Sequence, residues 1–248
     1  FFPGFPYSGI TVHMLLTHRS GLPNYIYFID EMVKDKYTFI SNQAVIRLMT
    51  KFRPDRYYPP DMTFDYSNTG YMLLAAIIEK VSGLDYGDYM DKSVFKPLGM
   101  DHTVVYNRNR NTEIQYRTSG YLYRIKEAEN NFLNGITGDK GIYTSIEDMH
   151  KWDRALYTDS LLKRETIMLA FQPMGKSRDA FENYGYGWRM YNSGDTMKVL
   201  YHGGWWQGYH NMYVRLEKDS TAIIILKNKK TRHAVNHEEL FGILYRRF

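Results

Sequence analysis

The stretch Phe64-Asp65-Tyr66-Ser67-Asn68-Thr69-Gly70-Tyr71-Met72-Leu73-Leu74-Ala75-Ala76-Ile77-Ile78-Glu79-Lys80-Val81-Ser82-Gly83 joins a polar turn to an apolar run. Leu74, Ile77, Ile78 and Val81 recur at i, i+3, i+4 and i+7, the spacing of one helix face. Gly83 closes the run, since glycine tolerates the left-handed conformation at a helix end. The triplet Tyr66-Ser67-Asn68 at the helix mouth admits two readings. In one, Asn68 caps the helix and Tyr66 packs. In the other, Tyr66 transfers protons and Asn68 hydrogen-bonds the same site. A Tyr titrates at about 10 in water and serves as a base near neutral pH only where adjacent cations stabilise its phenolate.

Outward from this helix the pattern is mixed. Ser41 caps a predicted helix over residues 41–49, and Tyr86 to Phe95 reads as another, ended by Pro97-Leu98-Gly99. Residues 101–134 are polar and irregular. Ser145-Ile146-Glu147-Asp148 has the form of a capping box, with Met149, Trp152 and Leu156 as the apolar stripe of the helix it opens. Met197 to Tyr201 is strand-like. His210, Met212, Val214 and Leu216 alternate with Asn211, Tyr213 and Arg215, as in a half-buried strand. Lys218-Asp219-Ser220 is a turn, and Ala222 to Leu226 is an apolar run of the kind covered on both faces. A helix is expected around Glu238 to Arg246. Helices and loops followed by an antiparallel hairpin and a helix make an α+β pattern.

Composition narrows the function. At 248 residues the chain can bury a sizeable core, and its charge of +5 comes without a basic stripe interleaved with aromatics. The densest run, Lys227 to Arg232, follows a strand and reads as a solvated loop, so a nucleic-acid partner is set aside. The absence of Cys excludes disulfides and thiolate metal sites. His13 and His18 are five apart, off the i, i+4 pairing of a helical metal pair, and no metal or cofactor is expected. No run approaches the roughly 18 apolar residues of a membrane span.

A second motif is Tyr201-His202-Gly203-Gly204-Trp205-Trp206. A strand ending in His-Gly-Gly lets backbone come close to another group, and the Trp205 amide can then donate into an oxyanion site. A glycine bulge with an exposed His202 is the alternative. In a third, Leu15-Leu16-Thr17-His18-Arg19-Ser20-Gly21-Leu22-Pro23, Ser20-Gly21 marks a tight turn.

These segments occur in one order with "VFKPLGMDHT", "GDKGIYTSIEDMHKWDRAL", "YGYGWRM" and "TAIIILKN". Together they closely resemble the class C β-lactamase-like serine hydrolases, which include penicillin-binding proteins, D-amino-acid peptidases and esterases. The resemblance covers nearly the whole chain. It implies a β-lactamase/transpeptidase-like fold, with an antiparallel sheet flanked by helices and a mostly helical subdomain. Residues 1–134 would form the helical subdomain with the Tyr-x-Asn element, and 135–248 the remainder with the His-Gly-Gly strand. It also implies roles. Tyr66, Asn68 and His202 would be catalytic, Trp205 would give the oxyanion amide beside Gly204, and Tyr25 with Asp139 or Lys140 would line the cleft.

The family's first element, a Ser-x-x-Lys carrying the nucleophile, lies upstream of the "LLTHRSGLP" segment, and no match stands there. Ser93-Val94-Phe95-Lys96 and Ser160-Leu161-Leu162-Lys163 match the spacing but follow the Tyr element, in the wrong order. With 12 Ser and 16 Lys, chance alone gives about 0.8 matches. The expectation is therefore a chain that begins inside a longer one, inactive unless its N-terminal segment or a second chain completes it. Such a chain should show an open sheet edge and a bare apolar face. The expected function of the intact protein is acyl-enzyme hydrolysis of D-amino-acid peptides or amides, small esters or β-lactams. A His in place of the family's Lys argues against the last. The alternative is a non-catalytic binding or regulatory protein that kept the cleft. Family members of this type point to a periplasmic or other extracytoplasmic location.

Overall fold

The computed structural model describes residues 1–106, 113–123, 126–174, 183–193, 197–231 and 239. Five helices come first: α1 (Val12–Leu16), α2 (Tyr25–Met32), α3 (Asn42–Phe52), α4 (Asn68–Ser82) and α5 (Tyr86–Met90). The last runs on through a wider turn, Asp91–Phe95. Their starts follow from side-chain oxygens that accept otherwise unpaired amides. Thr11, Asn24, Ser41 and Asp85 each do so. Gly83 ends α4 at φ 72°, as expected. The helix cluster closes over Leu22, Tyr25, Ile29, Val45, Met49 and Met72, all fully buried.

The apolar stripe of α4 is shifted from its expected position. Met72, Leu73, Ala75 and Ala76 are buried, whereas Val81 is 70% exposed. The small residues Gly70, Ala75 and Ala76 let neighbouring chain approach, and Leu74, Ile77 and Ile78 only flank the core. Gly138 shows how tight this approach is. It takes φ 98°, and a Cβ there would lie 2.5 Å from the Tyr71 carbonyl oxygen and 2.6 Å from the Ala75 Cβ.

Residues 101–134 contribute β1 (Val104–Val105), which pairs with β2 (Ile142–Tyr143), and a 3-10 turn over Phe132–Gly135. Then come α6 (Ile146–Ala155) and α7 (Arg164–Ala170). Ser145 accepts from the Asp148 amide, but Asp148 does not return the bond. Its carboxylate accepts instead from the His102 amide and the Thr103 hydroxyl, so only half of the capping box forms.

The main sheet is antiparallel, in the order β3 (Asn183–Tyr184), β4 (Arg189–Ser193), β5 (Met197–Trp206), β6 (Tyr209–Leu216) and β7 (Thr221–Ile225). The strand expected to end at Tyr201 runs on to Trp206. Its register with β6 is continuous from His202↔Tyr213 to Trp206↔Tyr209, so no bulge interrupts the two glycines. Arg215, read as solvent-facing, is 2% exposed. Its guanidinium lies over Tyr157 and Phe171, and its Nε donates to buried Asp153 of α6 at 2.8 Å. Ala222 to Leu226 is half-buried, less covered than its apolar run suggests. Among the described strands β7 pairs with β6 alone. Val199, Val214 and Leu216 are buried, so the expected bare apolar face is absent there. The helix expected around Glu238 to Arg246 falls, apart from Glu239, outside the described residues. Among the described residues no helix is long and apolar enough to cross a membrane.

Candidate active site

Tyr66 precedes the first turn of α4, and His18 mounts it. His18 takes φ 54°, which aims its carbonyl and its ring at one loop. The Asp65 amide donates to the His18 carbonyl at 2.8 Å, and the Ser67 amide donates to its Nδ1 at 3.1 Å. These two bonds straddle Tyr66, whose ring lies 4.2 Å from the imidazole, centroid to centroid. Ser67, not Asn68, is the N-cap residue. It makes no side-chain cap bond, and its buried hydroxyl has no partner. Asn68 is the first helical residue and faces the cleft instead. Thr69 fixes the helix start from the other side, accepting from the Tyr25 amide and donating to the Pro23 carbonyl.

Tyr66, Asn68 and His202 meet in a cleft of about 200 Å³, together with Tyr71, Gly138, Asp139, Tyr184 and Gly187. His202 stands on β5. Its Nδ1 lies 2.8 Å from the Gly203 carbonyl and its Nε2 lies 3.2 Å from the Tyr184 hydroxyl. Burial lowers its pKa, and Arg189 adds to the fall against the Gly203 bond. His202 is thus a neutral group whose N–H serves its own strand. The same hydroxyl of Tyr184 lies 3.0 Å from His18 Nε2. Burial, followed by the nearby His202 and Arg189, pushes the His18 pKa down to about 3.

Burial holds the Tyr66 phenol above its usual range; Arg189 opposes the rise and Asp139 adds to it. The Arg189 guanidinium lies 5.5 Å from the ring centroid. Tyr66 is thus a protonated phenol at neutral pH, a donor until a further cation approaches.

Tyr25 and Lys140 do not form the cleft wall. Tyr25 is fully buried and donates to Asp139 Oδ2 at 2.6 Å. Lys140 donates to the Tyr25 oxygen, lies 3.2 Å from Asp139 Oδ2 and sits 4.9 Å from the Trp206 ring centroid. Burial lowers its pKa. Both residues hold the carboxylate of Asp139, whose side chain is 1% exposed.

The outer half of β5 is open on one side. β4 pairs with β5 only between Arg189↔Tyr201 and Ser193↔Met197, leaving His202 to Trp206 bonded to β6 alone among the described strands. The His210 amide donates to Lys227 across β7's side of β6. Backbone polar groups alternate sides along a strand, so the Trp205↔His210 pair exchanges no ladder bonds. The Trp205 amide therefore points to the open edge. A Cβ added to Gly204 would meet nothing within 4 Å, so another backbone can approach there. The Trp205 ring is 62% exposed, with the Lys230 ammonium 4.6 Å from its centroid. Ser93 and Ser160 do not line the cleft.

A family model described as beta-lactamase matches residues 1–244. The chain belongs to the beta-lactamase family. Penicillin-binding protein 4* of Bacillus subtilis is 36% identical over 242 residues, covering 92% of this chain and 53% of that protein. The chain thus spans about half the length of this relative. Among solved structures, a penicillin-binding protein from Bacillus halodurans superposes with a TM-score of 0.82 at 24% identity, over 97% of this chain and 74% of its own. A D-amino acid amidase from Ochrobactrum anthropi superposes at 0.72 and 24%, over 98% and 78%. Both likenesses establish the β-lactamase-like α+β fold. His18, Tyr184 and Arg189 are site residues that motif reading missed. The only sequence signal was their place inside two of the ordered segments, "LLTHRSGLP" and "YGYGWRM".

Proposed function

We propose that the full-length protein is a serine hydrolase that forms an acyl-enzyme on D-amino-acid amides, short D-peptides or small esters. The observation that carries this reading is the convergence of Tyr66, Asn68 and His202 on one cleft beside the open edge of β5. A Ser-x-x-Lys upstream of Phe1 supplies the nucleophile, and its ammonium is the cation that Tyr66 lacks. The serine oxygen bonds to the substrate carbonyl carbon, and the carbonyl oxygen takes the negative charge. The Trp205 amide donates to that oxygen. Tyr66 relays the serine proton to the leaving amine or alkoxide as the carbonyl–leaving-group bond breaks. Water then attacks the acyl-enzyme by the reverse proton route. Asn68 orients the acyl group from the first turn of α4.

The neutral state of His202 favours amides and esters over β-lactams, whose carboxylate needs a cation. An amidase and penicillin-binding proteins among the similar proteins support the substrate class and an extracytoplasmic location. The chain of 248 residues alone is inactive in this reading. The test is fluorophosphonate labelling of the full-length product, followed by turnover of D- and L-amino-acid anilides. Labelling at an upstream serine with D-selective turnover supports the reading. A full-length product that is unlabelled and inert would make the cleft a binding site instead.

A further inference from the structure

We propose that Tyr184 and His18 are positioning residues that lock His202 as a neutral Nδ1–H tautomer with its Nε2 lone pair occupied. The cleft then rejects a substrate carboxylate at that position. The two ends of the chain fix the tautomers of both imidazoles. At one end the Ser67 amide can only donate, so His18 Nδ1 is the acceptor at 3.1 Å and Nε2 carries the proton. That proton is donated to the Tyr184 oxygen, 3.0 Å away. At the other end the Gly203 carbonyl can only accept, so His202 Nδ1 carries its proton at 2.8 Å. His202 Nε2, without a proton, accepts from the Tyr184 hydroxyl at 3.2 Å. Tyr71, whose hydroxyl also neighbours Tyr184, spends its own proton on the Leu16 carbonyl at 2.9 Å.

An extra proton on either ring breaks a bond of this arrangement. On His18 it would face the Ser67 amide. On His202 it would turn the Tyr184 hydroxyl away from its acceptor. The groups packed around the two imidazoles are Phe64, Tyr66, Tyr71 and Tyr184, with the cation Arg189 disfavouring charge on both. His18 is 2% exposed and Tyr184 5%, so water does not relieve either partner. The chain also ties the Tyr66–Asn68 loop to the β5 edge, across the cleft that they share. The consequence for specificity rests on the hydrolase reading above; the tautomers do not.

The test is nitrogen-15 NMR of the full-length protein labelled at histidine, at neutral pH. Opposite tautomers are expected, Nε2–H for His18 and Nδ1–H for His202. An Nε2–H or doubly protonated His202 overturns the proposal, whether or not the protein proves to be a hydrolase. Tyr184→Phe then removes the shared hydroxyl. His202 and His18 are both expected to keep their tautomers, held by the Gly203 carbonyl and the Ser67 amide, while His202 Nε2 loses its donor and takes up a proton more readily. The preference for a neutral D-amide over its carboxylate-bearing analogue should fall about tenfold. A folded Tyr184→Phe variant in which His202 protonates no more readily and the preference is unchanged overturns the proposal. If the variant does not fold, the wild-type spectrum alone decides.

Discussion

His18 and His202 hydrogen-bond one hydroxyl, that of Tyr184, at 3.0 Å and 3.2 Å. His18 grips the loop on both sides of Tyr66, by its carbonyl and by its imidazole, and His202 belongs to the strand whose edge is open. The cleft is thus built by a polar chain through the interior, not by loops resting on its rim. Such a chain is costly to break, because each buried group left without a partner forfeits its desolvation free energy.

The first consequence is for pH. The folded His18 pKa is about 3, below the unfolded value of about 6.5. Between those values the unfolded chain binds a proton that the folded chain does not, so stability rises with pH through this window. The contribution is complete above pH 6.5 and is lost as pH falls towards 3. The expected slope from His18 is up to about 1.4 kcal/mol per pH unit. His18→Asn suits the left-handed backbone and keeps an acceptor for the Ser67 amide. It should cost about 1–3 kcal/mol at neutral pH and remove this slope. Urea unfolding of both proteins from pH 4.5 to 7 measures the difference. Parallel curves would show that His18 is not held neutral.

A second prediction concerns Tyr66. In the full-length enzyme, Tyr66→Phe deletes the proton carrier and keeps the ring against His18. Among the described residues the hydroxyl makes no hydrogen bond that holds α4, so the unfolding midpoint should move little. kcat/KM for amides and esters should drop about 10²–10⁴-fold, mostly in kcat. A variant with full activity would assign the proton transfer to another group.

The triplets that meet in the cleft were legible in the sequence because short motifs encode them locally: Tyr66 and Asn68 at a helix mouth, His202 before two glycines. What supports them was not. His18 meets Tyr184 only through the tertiary fold, and a lone His in "LLTHRSG" has no periodic signal. The α4 stripe was misplaced because close backbone approach at Gly70, Ala75 and Ala76 outweighed the larger side chains. The end of β5 was put too early because glycine weakens strand propensity, whereas β6 pairs with the glycines regardless. Arg215 was read as exposed because alternation describes a sheet covered on one face. Here α6 supplies Asp153 on the other.

That last pair gives a third prediction. Asp153 is fully buried and accepts from Arg215 Nε at 2.8 Å and from the Tyr213 hydroxyl at 2.7 Å. Asp153→Asn leaves a 2% exposed guanidinium without its counter-charge and should cost about 3–5 kcal/mol. The double variant Asp153→Leu/Arg215→Met removes both charges. It should recover most of that loss, because the cost lies in the orphaned charge and not in the missing attraction. Unfolding free energies of Asp153→Leu, Arg215→Met and the double variant test this. A strictly additive cycle would mean that the two side chains do not interact.

The fourth prediction isolates one backbone amide. If the Trp205 N–H points to the open edge of β5, it contributes nothing to the β5–β6 ladder, and proline is tolerated there as on an edge strand. Gly204 before it is already extended strand, the conformation that a following proline demands. Trp205→Pro should therefore leave the fold intact, as judged by circular dichroism and the unfolding midpoint. The full-length enzyme should lose about 10²–10³ in kcat through the missing oxyanion donor. Trp205→Ala keeps the amide and removes the exposed ring, and it should retain kcat within about tenfold. Collapse of the proline variant would place the amide in the ladder towards His210. Equal losses in both variants would assign the effect to the indole, not to the backbone.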